Sequence, residues 1–222
     1  MNKAYQRVIL AVLLAAYSAT AVALAGEPTD QIKQTTDKIL AIVQDPALKD
    51  ASKEDDRQKQ MRKEIDARFD WTTMARSAYG NKWKDLSEAQ RTDFTKLFSD
   101  LVNKNYMSKV ESYSGEKIQY KNDRVDGKYG VVDIVIITLR NTDVPVSYRV
   151  LKKDNMWLVY DVSVEGVSMV NNYRSQIAAI LNSSTYDNLM ARLRAKIEAK
   201  VPEKGEKKSG DKAEPKSAGD AL

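Results

Sequence analysis

Apolar residues recur along this chain at two spacings, and the change falls near Gly115. Before it, Ile32, Ile39, Leu40 and Val43 stand at helical spacing, and Asp45-Pro46 ends the run. Ser52 followed by Asp55 predicts an N-cap with an acid in the first turn, opening a charged helix to about residue 67. Residues 71–79 form a shorter helix closed by Gly80. Ser87 and Gln90 have capping-box spacing and open a long helix. Its stripe is Phe94, Leu97, Phe98, Leu101, Val102, Tyr106, Val110 and Tyr113, wide, partly aromatic and, taken alone, simply core.

After Ser114-Gly115 the period falls from 3.6 to 2. Ile118 and Tyr120 begin a strand that Asp126-Gly127 turns; residues 129–139, 144–151 and 157–164 supply three more. Polar residues mark the outer faces. Asp133 directs Val132, Ile134 and Ile136 inward, Ser147 and Arg149 do the same for Val146, Tyr148 and Val150, and Asp161 for Leu158, Tyr160, Val162 and Val164. Two helices close the chain, at about residues 168–181 and 184–200. The layout is α+β: a curved four-stranded antiparallel sheet covered by helices. Such a cone can be filled with side chains or left hollow, and periodicity does not choose.

The ends differ from this middle. Lys3 and Arg7, an apolar stretch over residues 8–16 and Ala23-Leu24-Ala25 predict a cleavable signal peptide over residues 1–25 and an exported, soluble product. Residues 202–221 contain no Val, Ile, Leu, Met or aromatic side chain, so residues 201–222 read as a disordered charged tail. Between them lies one domain, residues 26–200, with a helical part at 29–114 and the sheet and closing helices at 116–200.

Composition narrows the chemistry. The chain of 222 residues has a net charge of +5. Residues 26–199 carry 28 basic and 26 acidic side chains, so no concentrated positive field is available to track a nucleic-acid backbone. The absence of Cys excludes disulfides, thiolate nucleophiles and zinc–cysteine sites; the absence of His excludes a Ser-His-Asp triad. No phosphate-cradling glycine loop or metal-ligand spacing occurs, and no cofactor is expected. Asp161 and Glu165 are the best acid pair, four apart at the end of the last strand. Their simpler role is to cap the helix that follows the Gly166 turn. Ser168 and Tyr173 have no histidine to activate them. Trp71, Trp83 and Trp157 are scattered without a matching basic stripe and read as packing.

Two stretches carry a resemblance. Phe69-Asp70-Trp71-Thr72-Thr73-Met74-Ala75-Arg76, with Tyr79-Gly80 and Trp83, is similar to the MlaC (toluene-tolerance auxiliary) family. So is Trp157-Leu158-Val159-Tyr160-Asp161-Val162-Ser163-Val164-Glu165-Gly166-Val167-Ser168, continuing to Gln176. The resemblance implies a nuclear-transport-factor-like cone around an apolar pocket, in a periplasmic carrier that is not an enzyme. It further implies a glycerophospholipid ligand and exchange with an outer-membrane lipoprotein complex and an inner-membrane ABC transporter bearing an MCE-type component.

Physical chemistry agrees with a carrier. One acyl chain in water costs on the order of 10 kcal/mol, at about 0.8 kcal/mol per methylene. Tails crossing an aqueous space must therefore be enclosed. The expected lipid-contacting positions are Met74, Leu101 and Tyr106 on the helices and Val132, Ile134, Ile136, Val146, Tyr148, Val150, Tyr160, Val162 and Val164 on the strands. Val167 joins them from the Glu-Gly-Val-Ser stretch that resembles the family, and Val167→Glu is expected to leave a folded chain that loses its lipid. Two other readings stay open: an enzyme on the same cone using a pocket carboxylate, and an adaptor that grips another protein.

Overall fold

The computed structural model describes residues 26–199; the expected signal peptide and charged tail lie outside them. Helix α1 (Glu27–Gln44) has Pro28 in its first turn, where a missing N–H costs nothing, and stops at Asp45 before Pro46. A short 3₁₀ turn, Ala51–Lys53, precedes α2 (Glu54–Arg68). Here the expectation needs correcting: the Asp50 carboxylate accepts the Ser52 N–H, so Ser52 is capped and is not the cap.

Helix α3 (Trp71–Tyr79) starts where Asp70 accepts the Thr73 N–H and ends at Gly80, whose φ of +78° favours glycine. Helix α4 (Glu88–Glu111) opens on a reciprocal capping box between Ser87 and Gln90. Then come β1 (Lys117–Asp126), β2 (Tyr129–Ile137), β3 (Asp143–Lys153) and β4 (Met156–Val164). A two-residue strand, β5 (Val167–Ser168), leads into α5 (Met169–Ser183) and α6 (Tyr186–Glu198).

All five strands form one open antiparallel sheet in sequence order. The fifth is a small addition to the four expected: Glu165 and Gly166, both at positive φ, make a two-residue hairpin that pairs Val167 with Val164.

Two bulges break the ladder. Lys121 and Asn122 oppose Asp133, and Tyr160 is the extra residue where Arg149 pairs with Asp161 but Val150 with Val159. The second bulge overturns part of the parity reading. Val159 is fully buried beside Val150, whereas Tyr160 turns to the other face. There its ring lies under the Arg149 guanidinium and edge-on to Tyr129. Tyr160, expected inward, is thus outward.

Hydrophobic side chains gather in two clusters. One is helical: Met74, Ala75 and Ala78 of α3, Phe94, Phe98 and Leu101 of α4, Tyr173 and Ile177 of α5, and Leu189 and Leu193 of α6. Its rings interlock, with Tyr79–Phe94 at 4.9 Å and Phe98–Tyr173 at 5.3 Å, both edge-on. The other lies on one face of the sheet, where Val132, Ile134, Val146, Val150, Trp157, Val159 and Val162 meet Ile32 of α1. Phe69 and Met169 touch both clusters. Phe69 also bridges to Val159, and the Asp70 N–H donates to the Val159 carbonyl at 2.8 Å.

Candidate functional site

The pairing register arranges the apolar face of the sheet into cross-strand rows. Ile118, Ile136 and Val144 form the first; Tyr120, Ile134, Val146 and Val164 the second; Val132, Tyr148 and Val162 the third; Gly130, Val150 and Val159 the fourth. The rows are not equally covered. Val132, Val150 and Val159 have no exposed surface, Ile134, Val146 and Val162 have little, and Ile118, Ile136, Val144 and Tyr148 are only partly buried. Beyond the first row, toward the β2–β3 hairpin, Leu139 is 68 % exposed; Val164 and Val167 are 40 % and 53 % exposed. Closed at the fourth row and open at the first, this face is an apolar surface with a mouth.

The closed end has an identifiable latch. The Arg68 guanidinium donates to Thr35 Oγ1 at 2.9 Å, Gln31 Oε1 at 2.8 Å and the Trp157 carbonyl at 2.9 Å, joining α1, α2 and β4. Trp157 N–H in turn donates to Gln31 Oε1 at 2.9 Å. Desolvation lowers the Arg68 pKa, partly opposed by Glu64, which suits a cation held among neutral acceptors. Gly130 completes the seal: a Cβ there would come within 3.2 Å of Val150 and 3.4 Å of Trp157.

Tyr148 is the most informative side chain on the face. It keeps accessible surface, yet surrounding protein pushes its phenol up to about 12, desolvation first and Tyr120 second. Tyr106, half-buried on α4, has its phenol raised by burial as well.

The expected positions therefore divide. Val132, Ile134, Ile136, Val146, Tyr148, Val150 and Val162 share the sheet face, and Val164 and Val167 stand at its rim. Met74 and Leu101 stand apart from this face, both fully buried in the helical cluster. Tyr106 packs against that cluster too, and Tyr160 is on the opposite side of the sheet. Residues the pattern missed are Val159 and Trp157, hidden by the bulge, and Met169, which borders the face from α5.

The carboxylates point elsewhere. Asp161 accepts from Ser168 Oγ at 2.6 Å and from the Val170 N–H at 3.1 Å, the capping role expected of it. Asp133 is outside as well, accepting from Ser147 Oγ at 2.5 Å and pairing with Arg124 at 2.8 Å. Among the described residues no group of three or more acidic side chains could hold a metal ion. Two clefts open away from the sheet face. One of about 710 Å³ is lined by Arg76, Trp83, Arg91, Lys153 and several threonines; one of about 150 Å³ lies between Arg149, Asp161 and Arg174.

Comparison with known proteins follows this geometry. The family model described as MlaC protein matches residues 33–195. The chain belongs to the MlaC family. Within that family it is similar to a protein of Haemophilus influenzae described as intermembrane phospholipid transport system binding protein MlaC. The two are 30 % identical over 119 residues, which is 51 % of this chain and 56 % of that protein, so the match spans little more than half of each. In fold, the chain is similar to a phospholipid-binding protein of Ralstonia solanacearum solved in complex with a phospholipid, with a TM-score of 0.70. That likeness covers 78 % of this chain and 97 % of the other at 23 % identity, so the MlaC fold extends over nearly the whole of the Ralstonia structure.

Proposed function

We propose that this MlaC-family chain is a periplasmic phospholipid carrier, holding acyl tails against the apolar sheet face and leaving the headgroup at the mouth. In this role it shuttles glycerophospholipid between the outer and inner membranes. Its expected exchange partners are an outer-membrane lipoprotein complex and an inner-membrane ABC transporter with an MCE-type component. The observation that carries the reading is the gradient of cover along the rows, from Val150 with no exposed surface to Val164 at 40 %, with the half-buried Tyr148 between them. The names of the Haemophilus relative and the Ralstonia structure support it.

Loading requires the face to widen. Val132 and Val150 are already covered, so α1, held by Arg68 at the closed end and by the Lys38–Glu64 pair farther along, would have to shift for a tail to enter. A carrier needs no covalent chemistry, and the placement of Asp133 and Asp161 outside the face favours it over a pocket-carboxylate enzyme.

The test is native mass spectrometry of the protein purified gently from the periplasm, and again after delipidation and incubation with phospholipid vesicles. Bound phospholipid masses in both are expected. A protein that stays empty in both would refute the carrier, and a stable complex with another protein in place of lipid would support an adaptor.

A further inference from the structure

Helix α1 opens on a residue that cannot cap it. Gly26 is the N-cap, with β-region backbone at φ −70° and no side chain to accept the N–H groups of the first turn. The cap comes instead from β1, where Asp123 Oδ2 accepts the Thr29 N–H at 3.4 Å from 94 residues away. This carboxylate takes the space of an N-cap side chain: a Cβ on Gly26 would stand 2.2 Å from Oδ2 and 2.5 Å from Oδ1. Any residue larger than glycine would push Asp123 away from the helix.

Two groups at this corner are incomplete. Asp123 is half-buried and pairs with no cation among the described residues. Its neighbours are engaged elsewhere, Arg124 with Asp133 and Lys121 with Gln119. The Thr29 side chain is fully buried, and its hydroxyl has no hydrogen-bond partner. Buried hydroxyls are nearly always paired, so this one calls for a partner. Thr29 is the third residue of the helix, the position whose side chain reaches back to the N-cap nitrogen in a capping box. Covalent geometry also holds the Gly26 nitrogen within about 5 Å of Asp123 Oδ2, since nitrogen and Cβ share one Cα. Both incomplete groups thus converge on that nitrogen.

The sequence can place a cation there. Ala23-Leu24-Ala25 has the small-x-small pattern of signal-peptide cleavage, and the cut it marks falls immediately before Gly26. The new terminus carries an ammonium with three hydrogens to donate. It also sits at the positive end of the α1 dipole, where a cation is unfavourable unless a carboxylate offsets it. We infer that cleavage after Ala25 frees the Gly26 α-ammonium to pair with Asp123 and donate to the Thr29 hydroxyl. Helix α1 carries Ile32 onto the sheet face and Gln31 and Thr35 to the Arg68 latch, so the pair fastens the helix that covers the proposed binding face. This rests on the expected signal peptide and not on the nature of the cargo.

The protein exported by its own leader and recovered from the periplasm is expected to begin at Gly26 by N-terminal sequencing; any other first residue would overturn the inference. Two forms of the mature chain, released from cleavable fusions to leave either Gly26 or Ala25 first, are then compared by thermal melting. The Gly26 form is expected to melt about 2 °C higher at low salt, the scale of one partly exposed ion pair. Asp123→Asn retains an oxygen for the Thr29 N–H and should erase that difference, and Thr29→Val should reduce it. Equal melting of the two wild-type forms, or a difference that persists in Asp123→Asn, would overturn the inference. Neither result bears on the carrier reading, because no lipid takes part.

Discussion

The helical cluster and the sheet face are made of the same kinds of side chain and behave as different materials. In the helical cluster Phe94, Phe98, Leu101 and Tyr173 are without exposed surface, the rings meet edge-on, and the Tyr173 hydroxyl is paired. On the sheet face burial declines row by row, to Val164 at 40 % exposed on the rim. Apolar composition therefore does not distinguish scaffold from site. Completeness does: a region with every contact made has nothing left to offer a ligand, and one with graded cover has.

The largest effect should come from the scaffold. Phe98→Ala removes a ring that stacks with Phe94 and meets Tyr173 edge-on, and should destabilise the protein by about 3–5 kcal/mol in urea unfolding. Lipid bound per folded molecule should be unchanged; a fall in that ratio would break the contrast. A charge on the open face should do the reverse. Ile136→Glu should leave stability within about 1 kcal/mol, because its surroundings are partly accessible, yet weaken lipid binding by about 3 kcal/mol, read by mass spectrometry beside a thermal melt. Val167→Glu, at a position 53 % exposed, should have the same sign and a smaller size. If Val167→Glu is the more damaging of the two, the mouth is wrongly placed.

Loading should sharpen the picture further. The delipidated protein should be less stable than protein at a lipid concentration a hundred times Kd by about 2.7 kcal/mol, seen as a lower Tm. Identical melting curves would show that no ligand completes the sheet face.

The smallest effect concerns the joint between the regions. Asp70 caps α3 through Thr73 and pairs with Lys153 of β3 at 2.5 Å. Burial, the largest influence, pushes its carboxyl up, but Lys153 and Thr73 together outweigh it and hold the group below its ordinary 3.8. A carboxyl depressed on folding contributes stability above its unfolded pKa and loses it as pH falls through the folded value. Asp70→Ala should therefore cost about 1 kcal/mol at neutral pH, and the difference should shrink below pH 3.8, measured by urea unfolding across that range. A cost independent of pH would mean that the carboxylate charge contributes nothing.

Much of this architecture was legible in the chain because local rules acted alone. The Ser87–Gln90 box, the turn at Asp126-Gly127 and the bounds of α3 depend on neighbours in sequence, and each stands where the pattern puts it. Faces on β2 and β3 were also legible, since simple alternation holds along them. What was hidden depends on partners. Met74 and Leu101 repeat with helical period, which says that they are buried but not in which of two cores. Tyr160 alternates with Asp161 as any strand residue would, and only pairing with β3 reveals an extra residue.

That extra residue also has a mechanical consequence. By reversing the facing of β4 midway, it turns Val159 and Val162, three apart, toward the same apolar face, while Asp161 between them reaches the start of α5. Any force that spreads the sheet face to admit a tail is then transmitted through a shared beam to the helix behind it.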